Sequence, residues 1–421
     1  MAQPVKPITI KGRFFWKGDD RFVVNGVVYQ PGHGTLPRPD PLDDNGLDDL
    51  RRSIPLFKEL GINTLLVYFV DTANSRDTAM KLLADAGIYV LPCLVGGHFV
   101  INRASPFQSY TSNFLRNCFR AVDTMKQYSN TLGFIVSVEV INSIPTSAGA
   151  PVVRAVVRDV KRYVALNTEK GQRSLPIGIT VMDFRPSLKL QFEYFCGGDE
   201  KEAVDFITSN VFSWDGKATM ETSGYNDIVE IFSGAPVPVF FSEYGRNTLR
   251  PRLFQETHAI YTDISMLLLF SGGIVYEFFE YGNKFGLVRR EEDPATGQVT
   301  LRALKDFKNL KKNLSSSFAK LFSHPLHDPV AAVIGSKGEF ANRLGTRPGI
   351  PRQNVLWSAE ERIPKSPIDW DELARQAEDD SEWVDVTNEL YKMTVEDGQD
   401  SIGKLTIIKK KPGNGGPSSG A

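Results

Sequence analysis

Cysteine is scarce in this chain: Cys93, Cys118 and Cys196 are the only three among 421 residues, and none sits in a CxxC or CxxCH spacing. An odd, scattered set supports neither a disulfide framework nor a zinc site. The five histidines are dispersed without an HExxH motif, so no catalytic metal and no cofactor is expected. Charge of one sign is also lacking, because 49 Lys and Arg oppose 50 Asp and Glu. That balance leaves no polyanion footprint and excludes nucleic acid as a natural partner. No apolar run reaches membrane-spanning length. The first residues, MAQPVKPITIKG, hold no apolar signal core, and the last, GNGGPSSGA, lack the hydrophobic tail of a GPI signal. Taken literally, these absences lead to the expectation of a soluble protein of a reducing, cytoplasmic-type compartment.

The chain is rich in apolar segments that alternate between strand-like and helical patterns. Strand candidates fall at 21–30, 62–70, 89–95, 131–141, 175–182, 203–212, 236–245 and 272–280. Several are continuously apolar and rich in Val, Ile and Phe, as strands buried on both faces must be. Helical segments such as GLDDLRRSIPLFKELG and RDTAMKLLADAG lie between them, the latter ending at Gly87 as a helix C-terminus should. Eight such units predict a (β/α)8 TIM barrel over residues 7–325. Beyond it, 326–421 reads as a less regular C-terminal extension: TRPGIPRQ as a linker, DWDELARQAEDDSEW as an acidic amphipathic stretch, and KLTIIKKK as a short strand before a flexible tail. The aromatic share of 11% suits either a sugar-binding cleft or an ordinary core.

Two short strings carry the chemistry. SVEVIN sets Glu139 near the end of the fourth strand, and FFSEYGRN sets Glu243 near the end of the seventh. A carboxylate is costly to bury unpaired, so a glutamate ending an apolar strand is either satisfied by a cation or chemically active. Two glutamates at the C-terminal mouth of one parallel barrel fit the acid/base and nucleophile of a retaining glycosidase, which stand about 5–5.5 Å apart.

The segments PITIKG, RFVVNGVVYQPG, LGINTLLVYFVD, AMKLLADAGIYV, INRASP, TLGF…VEVIN, EYFCG, FFSEYGRNT with FQE, and SGGIVYEF with FGLV occur in family order from about residue 7 to 320. As a set they resemble the fungal β-1,3-glucanosyltransferases of glycoside hydrolase family 72. The resemblance implies cleavage of a β-1,3-glucan, retention of the new reducing end as a glycosyl-enzyme, and its transfer to the non-reducing-end 3-hydroxyl of another glucan. It implies that Glu139 is the acid/base and Glu243 the nucleophile, and that Gln30, Tyr68, Asp183, Trp214, Tyr244 and Tyr276 bind substrate. A β-1,3-glucan oligosaccharide or polysaccharide is the implied partner, and a monomer the expected state. The tyrosines could equally be rings of the barrel-top core, and Asp183 a helix N-cap.

Departures from the family pattern accompany the matches. The asparagine expected before the acid/base, which would hydrogen-bond the sugar 2-hydroxyl, is Val138. Cys93, Ile179, Leu188 and Phe285 stand where the family has aspartate, tyrosine, arginine and tyrosine. Four family cysteines are Leu50, Ala79, Asp215 and Arg246 here, the first two positions being paired with each other in the family. The alternative left open is a decayed site on the same fold that binds glucan without turning it over.

Overall fold

The computed structural model describes residues 5–32, 39–96, 99–169, 171–323 and 346–378. Three short strands, β1 (Ile8–Lys11), β2 (Phe14–Lys17) and β3 (Asp20–Phe22), form an antiparallel sheet at the start. Eight parallel strands follow: β4 (Val24–Val28), β5 (Thr64–Val67), β6 (Tyr89–Pro92), β7 (Phe134–Val138), β8 (Ile177–Met182), β9 (Phe206–Asn210), β10 (Val239–Tyr244) and β11 (Phe270–Val275). They neighbour one another in chain order, and β11 pairs with β4. The ring closes between β6 and β7 through parallel bridges Val90 to Thr131 and Cys93 to Ile135. This is the (β/α)8 barrel, and each expected strand lies where the apolar runs put it. A hairpin, β12 (Val288–Glu292) and β13 (Val299–Ala303), follows the eighth strand.

The helices are α1 (Leu47–Leu60), α2 (Asp77–Asp85), α3 (Pro106–Ser109), α4 (Ser112–Lys126), α5 (Ala150–Glu169), α6 (Arg185–Cys196), α7 (Tyr225–Phe232), α8 (Glu256–Thr262), α9 (Ile264–Leu267) and α10 (Lys305–Ser323). Local chemistry ends them as expected: the chain leaves α1 at Gly61 in the left-handed region, and Thr111 caps α4 by accepting from Phe114 N. Among the described residues no helix is long and apolar enough to cross a membrane.

The core has two parts. Between barrel and helices lies a large layer that includes Val27, Leu65, Val136, Ile179, Ile207, Phe241 and Val275. Inside the barrel a smaller cluster joins Val28, Leu66, Leu91, Ile135, Phe206, Phe240 and Ile274 to Phe15 and Phe22 of the first sheet. The Phe15 ring meets those of Phe206 and Phe240 edge-on, each at 5.8 Å. A Cβ on Gly178 would fall 2.3 Å from the Phe206 ring, so only glycine at that point of β8 leaves room for this filling. The first sheet thereby closes the N-terminal end, and the chemistry is confined to the C-terminal mouth.

The stretch expected to be a linker packs on the barrel: Gly198 N donates to Pro348 O at 3.2 Å and Arg347 to Cys196 O at 3.1 Å. Residues up to Ala374 belong to a single compact unit. Trp357 is fully buried against Tyr194, with ring centroids 5.4 Å apart, and Tyr194 donates its hydroxyl to Glu360 O at 2.7 Å. Arg158 donates to Pro364 O (3.0 Å), Ser366 to Asp159 (2.9 Å), and Arg162 lies over the Trp370 ring at 4.3 Å. Isolated tryptophans in a polar, proline-rich stretch carry no periodicity, which is why the sequence reads as linker while the segment packs as a strap over α5 and α6. A helix over Trp370–Glu378 begins the acidic stretch, and KLTIIKKK lies outside the described residues. Trp357→Ala is expected to cost about 3–5 kcal/mol, the usual range for truncating a buried tryptophan. Urea unfolding followed by circular dichroism checks this, and an unchanged midpoint would show that the strap does not hold the barrel.

Candidate active site

Both glutamates stand at the mouth because their strands break the strict in-out alternation. On β7 the inward residue Ile135 is followed three positions later by Val138, which also faces the inner cluster, and the pairing with β8 shifts between them. Glu139 follows immediately with φ 49°, a left-handed conformation that costs a non-glycine residue on the order of 1–3 kcal/mol. Arg103 secures this turn, donating from Nε (3.0 Å) and Nη2 (2.6 Å) to the Glu139 carbonyl oxygen. On β10, Phe241 and Tyr244 both face the outer layer three positions apart, with register shifts between them. Such a bulge re-aims the intervening side chains, and Ser242 and Glu243 both turn into the mouth.

The side chains between the two carboxyls connect them. Asn210, at the end of β9 and paired in register with Glu243, donates from Nδ2 to Glu139 Oε1 at 3.0 Å, and its amide favours the ionised form of Glu243. The Tyr68 hydroxyl, after β5, donates to Glu243 Oε1 in a short hydrogen bond. Burial pushes Glu243 up to about 8, and the charges of Glu139 and Glu277 add to the rise, while Tyr68 and Asn210 oppose it by donating to the ionised form. The same desolvation and the Glu243 charge hold the Tyr68 phenol protonated, far above its ordinary range. Glu277, just after β11, is buried and accepts from Asn283 Nδ2 at 2.6 Å.

The residues expected to bind substrate divide. Tyr68 and Tyr276 reach the mouth, where the Tyr276 ring meets Phe285 at 5.1 Å and Phe212 at 6.2 Å, both edge-on, giving an aromatic wall. Gln30 is buried and serves the backbone: its Oε1 accepts from Tyr68 N (3.2 Å) and its Nε2 donates to Pro39 O (2.7 Å). Asp183 is not a helix N-cap; both its oxygens are held by Arg185, which also donates to Gly224 O at 2.9 Å. Two of the expected residues belong to the outer layer. Tyr244 is fully buried in the outer layer because the β10 bulge sends it opposite to Glu243. Trp214 belongs to that layer too, edge-on to Tyr225 at 5.0 Å, beside an outer concavity of about 530 Å³ that also meets Met220 and His258.

The departures sort in the same way. Ile179 and Leu188 are buried away from the mouth, so their apolar character is that of the core around them. Cys93, Val138 and Phe285 do stand at the mouth, Cys93 and Val138 in or against the inner cluster and Phe285 against Tyr276. Leu50 and Ala79 are both buried. Asp215 and Arg246 face each other, with Oδ2 and Nε 3.7 Å apart, and Thr248 donates to Asp215 at 2.8 Å. All three cysteines are buried, and none of them forms a disulfide. Among the described residues no three His, Cys, Asp or Glu side chains converge as ligands for a metal ion.

Asn210, Ser242, Arg103, Arg185 and Glu277 escaped the sequence reading. Glu277 was findable, since it ends the apolar run GGIVYEF as Glu139 and Glu243 end theirs. The others are ordinary polar residues, and Asn210, Ser242 and Arg103 act on partners distant in sequence.

A family model described as glucanosyltransferase, glycoside hydrolase family 72, matches residues 1–317. The chain is 39% identical to the 1,3-beta-glucanosyltransferase gel1 of Aspergillus fumigatus over 73% of its own length and 65% of the relative's. It is 39% identical to the 1,3-beta-glucanosyltransferase GAS5 of Saccharomyces cerevisiae, over 86% of this chain and 70% of that one. The chain thus spans just under two thirds of the Aspergillus relative. Among solved structures, it is similar to a variant of Saccharomyces cerevisiae Gas2p in complex with laminaritetraose and laminaripentaose, with a TM-score of 0.74 and 32% identity over 86% of this chain and 75% of that one.

The raised pKa of Glu243 has a consequence for stability. A carboxyl moved from 4.5 to about 8 on folding takes up a proton across that window, so its contribution to stability falls as pH rises through it. Glu243→Gln, which has no charge to desolvate, is expected to match the native melting temperature below about pH 4.5 and exceed it increasingly toward pH 8. A difference that stays flat with pH would contradict the burial of this charge.

Proposed function

Because the chain belongs to the glucanosyltransferase family of glycoside hydrolases, we propose that it is a retaining β-1,3-glucan transglycosylase acting in cell-wall glucan remodelling, with Glu139 as acid/base and Glu243 as nucleophile. The observation that carries this reading is the pair of carboxyls at the barrel mouth, Glu139 held by the Asn210 amide and Glu243 by the Tyr68 hydroxyl, with Asn210 in register with Glu243. The barrel over residues 7–325, with the strap to Ala374, is the catalytic unit, and it acts as a monomer.

In the first step Glu243 attacks the anomeric carbon while Glu139 gives its proton to the glycosidic oxygen. The bond to the leaving fragment breaks, and the retained glucan is esterified to Glu243. In the second step Glu139, now ionised, takes the proton from the 3-hydroxyl of an incoming glucan's non-reducing end. That oxygen displaces Glu243, and the anomeric configuration is restored. The free site favours a proton on Glu243, whereas attack needs it on Glu139. Bound glucan resolves the conflict: the glycosidic oxygen accepts a hydrogen bond from protonated Glu139, while Tyr68 and Asn210 remain as donors to ionised Glu243. Tyr276, Phe212 and Phe285 offer apolar faces against which sugar rings pack and from which water is excluded.

Val138 supports a second reading. It faces the mouth and supplies no hydrogen bond to a sugar 2-hydroxyl, an interaction that strengthens in the transition state. A glucan-binding protein with little turnover would result if that loss dominates.

Mass spectrometry after incubation with a reduced laminarin oligosaccharide separates the readings. Longer products establish transfer, shorter products alone indicate hydrolysis, and unchanged substrate favours the binding protein. Glu243→Gln is expected to abolish both turnover and labelling by a 2-fluoro glycosyl inactivator; labelling at another residue would remove Glu243 from its role. Val138→Asn is expected to raise kcat on the order of tenfold, since one hydrogen bond to a charge-developing centre contributes about 1.5–3 kcal/mol. A folded Val138→Asn protein that binds laminarin oligosaccharides with no rise in turnover would shift the balance to the second reading.

A further inference from the structure

Among the described residues, one side chain alone hydrogen-bonds the Glu139 carboxylate, and it is Asn210. Its geometry is fixed from behind. Asn210 is 5% exposed, and its Oδ1 accepts at 2.8 Å from the hydroxyl of Ser242, which is fully buried. An amide can present either oxygen or nitrogen to a neighbour, and nothing in its own shape decides which. Here Ser242 donates to the oxygen, so the NH2 group is left to face the two carboxyls. Ser242 lies next to Glu243 on β10 and turns inward at the same bulge, while Asn210 pairs in register with Glu243 across β9 and β10. The amide, its anchor and the nucleophile are therefore set by one local irregularity in two adjacent strands.

We propose that Asn210, oriented by Ser242, is the positioning residue that fixes which oxygen of Glu139 carries the proton and, set in register beside Glu243, governs where the proton of the pair resides. With Oε1 accepting from Asn210, the proton of Glu139 belongs on Oε2, the oxygen left to meet the glycosidic oxygen. The second N–H favours the ionised form of Glu243. One rigid donor thus reports the state of each carboxyl to the other: a proton arriving on Glu139 weakens the pull of that carboxyl on the amide and strengthens what remains for Glu243. Val138, with no polar group, cannot substitute for it.

The groups facing Glu243 from every strand around it define the test: Tyr68 after β5, with Cys93 beyond it after β6, Glu139 after β7, Asn210 on β9, and Glu277 after β11. Tyr68 and Asn210 donate, whereas Glu139 and Glu277 repel. Removing Asn210 leaves Tyr68 as the remaining donor against the same two negative neighbours. This assignment rests on the roles proposed for Glu139 and Glu243, so its test reads the carboxyl itself without substrate.

The experiment is a pH titration of the glutamate side-chain carboxyl signals by carbon-13 NMR, in the native protein and in Asn210→Ala and Ser242→Ala, with Glu243→Gln used to assign the Glu243 signal. Asn210→Ala is expected to raise the Glu243 midpoint by at least about half a pH unit, as loss of a donor to the charged form must. Ser242→Ala, which keeps the amide but frees it to turn, is expected to move it the same way by less. In laminarin oligosaccharide turnover, the acidic limb of the pH–rate profile is expected to follow the shift, with kcat falling more than KM changes. An unshifted midpoint in folded Asn210→Ala overturns the proposal even if activity is lost, because a purely structural role would leave the titration alone. If Asn210→Ala does not fold, the Ser242→Ala titration decides by the same criterion. A native protein inert toward laminarin oligosaccharides would remove the transferase reading and leave the amide bridge to stand or fall on the titration.

Discussion

Two carboxyl groups brought together out of water repel each other and lose hydration, and the upper half of this barrel is organised around that cost. Glu243 answers it with the Tyr68 hydroxyl and the Asn210 amide, and Glu139 with the same amide. Each of these donors is itself held by a further contact. Gln30 accepts from the Tyr68 backbone, Ser242 donates to Asn210, and Arg103 grips the carbonyl of Glu139 in its left-handed turn. The aromatic filling of Phe15, Phe206 and Phe240 supplies the other half of the arrangement. It seals the barrel from below, so water reaches the pair only through the mouth, where a bound glucan would displace it.

The legible part of this structure is the part written in continuous apolar runs. Strands buried on both faces announce themselves, and glutamates ending such runs stand out against them, so the barrel and the two glutamates at its mouth could be read directly. What stayed hidden depends on departures from regularity. Strict alternation along VFFSEY would send Glu243 outward with Phe241; the bulge reverses this, and it also carries Tyr244 into the outer layer. A bulge has no signature here beyond a serine and a glutamate between aromatics. Asn210 and Arg103 were hidden for a different reason: their partners lie 71 and 36 residues away, and polar residues at strand ends and in loops are common. The strap was missed because a few well-buried aromatics, Trp357 and Trp370, anchor a segment with no period.

Location also reinterprets the substitutions. Read in sequence, apolar residues at 138, 179, 188 and 285 suggest a site losing its sugar contacts together. In the fold, Ile179 and Leu188 face the core, and an arginine does hold Asp183, only at position 185 instead of 188. The loss is narrower and concentrated at Cys93, Val138 and Phe285. The cysteine positions show a similar economy. Leu50 and Ala79 are covered by core, where two apolar side chains suffice. Asp215 and Arg246 are exposed, and their contact ties the loops after β9 and β10 through a charge pair with Thr248. Exposed pairs of this kind contribute little to global stability, about 0–1 kcal/mol. Their use here is local, because those two loops follow Asn210 and Glu243.

Three rings, Tyr276, Phe212 and Phe285, form one wall of the mouth that results. Under the proposed mechanism this balance bears on the second half-reaction, where a glucan hydroxyl must outcompete water for the glycosyl-enzyme. A polar mouth would hold ordered water beside Glu139, ready to be activated. A wall of Tyr276, Phe212 and Phe285 holds water poorly but offers broad apolar faces to an incoming pyranose ring. Replacing a tyrosine by Phe285 removes a hydroxyl that could have anchored such a water. Loss of polar contacts therefore need not favour hydrolysis. It weakens binding of the donor through Val138 while making the acceptor side less hospitable to water, so the chain would trade rate for selectivity of transfer. Under the same mechanism the proton must be controlled by the protein, and Asn210 and Tyr68 are the donors placed to decide whether Glu139 or Glu243 is ionised at each step.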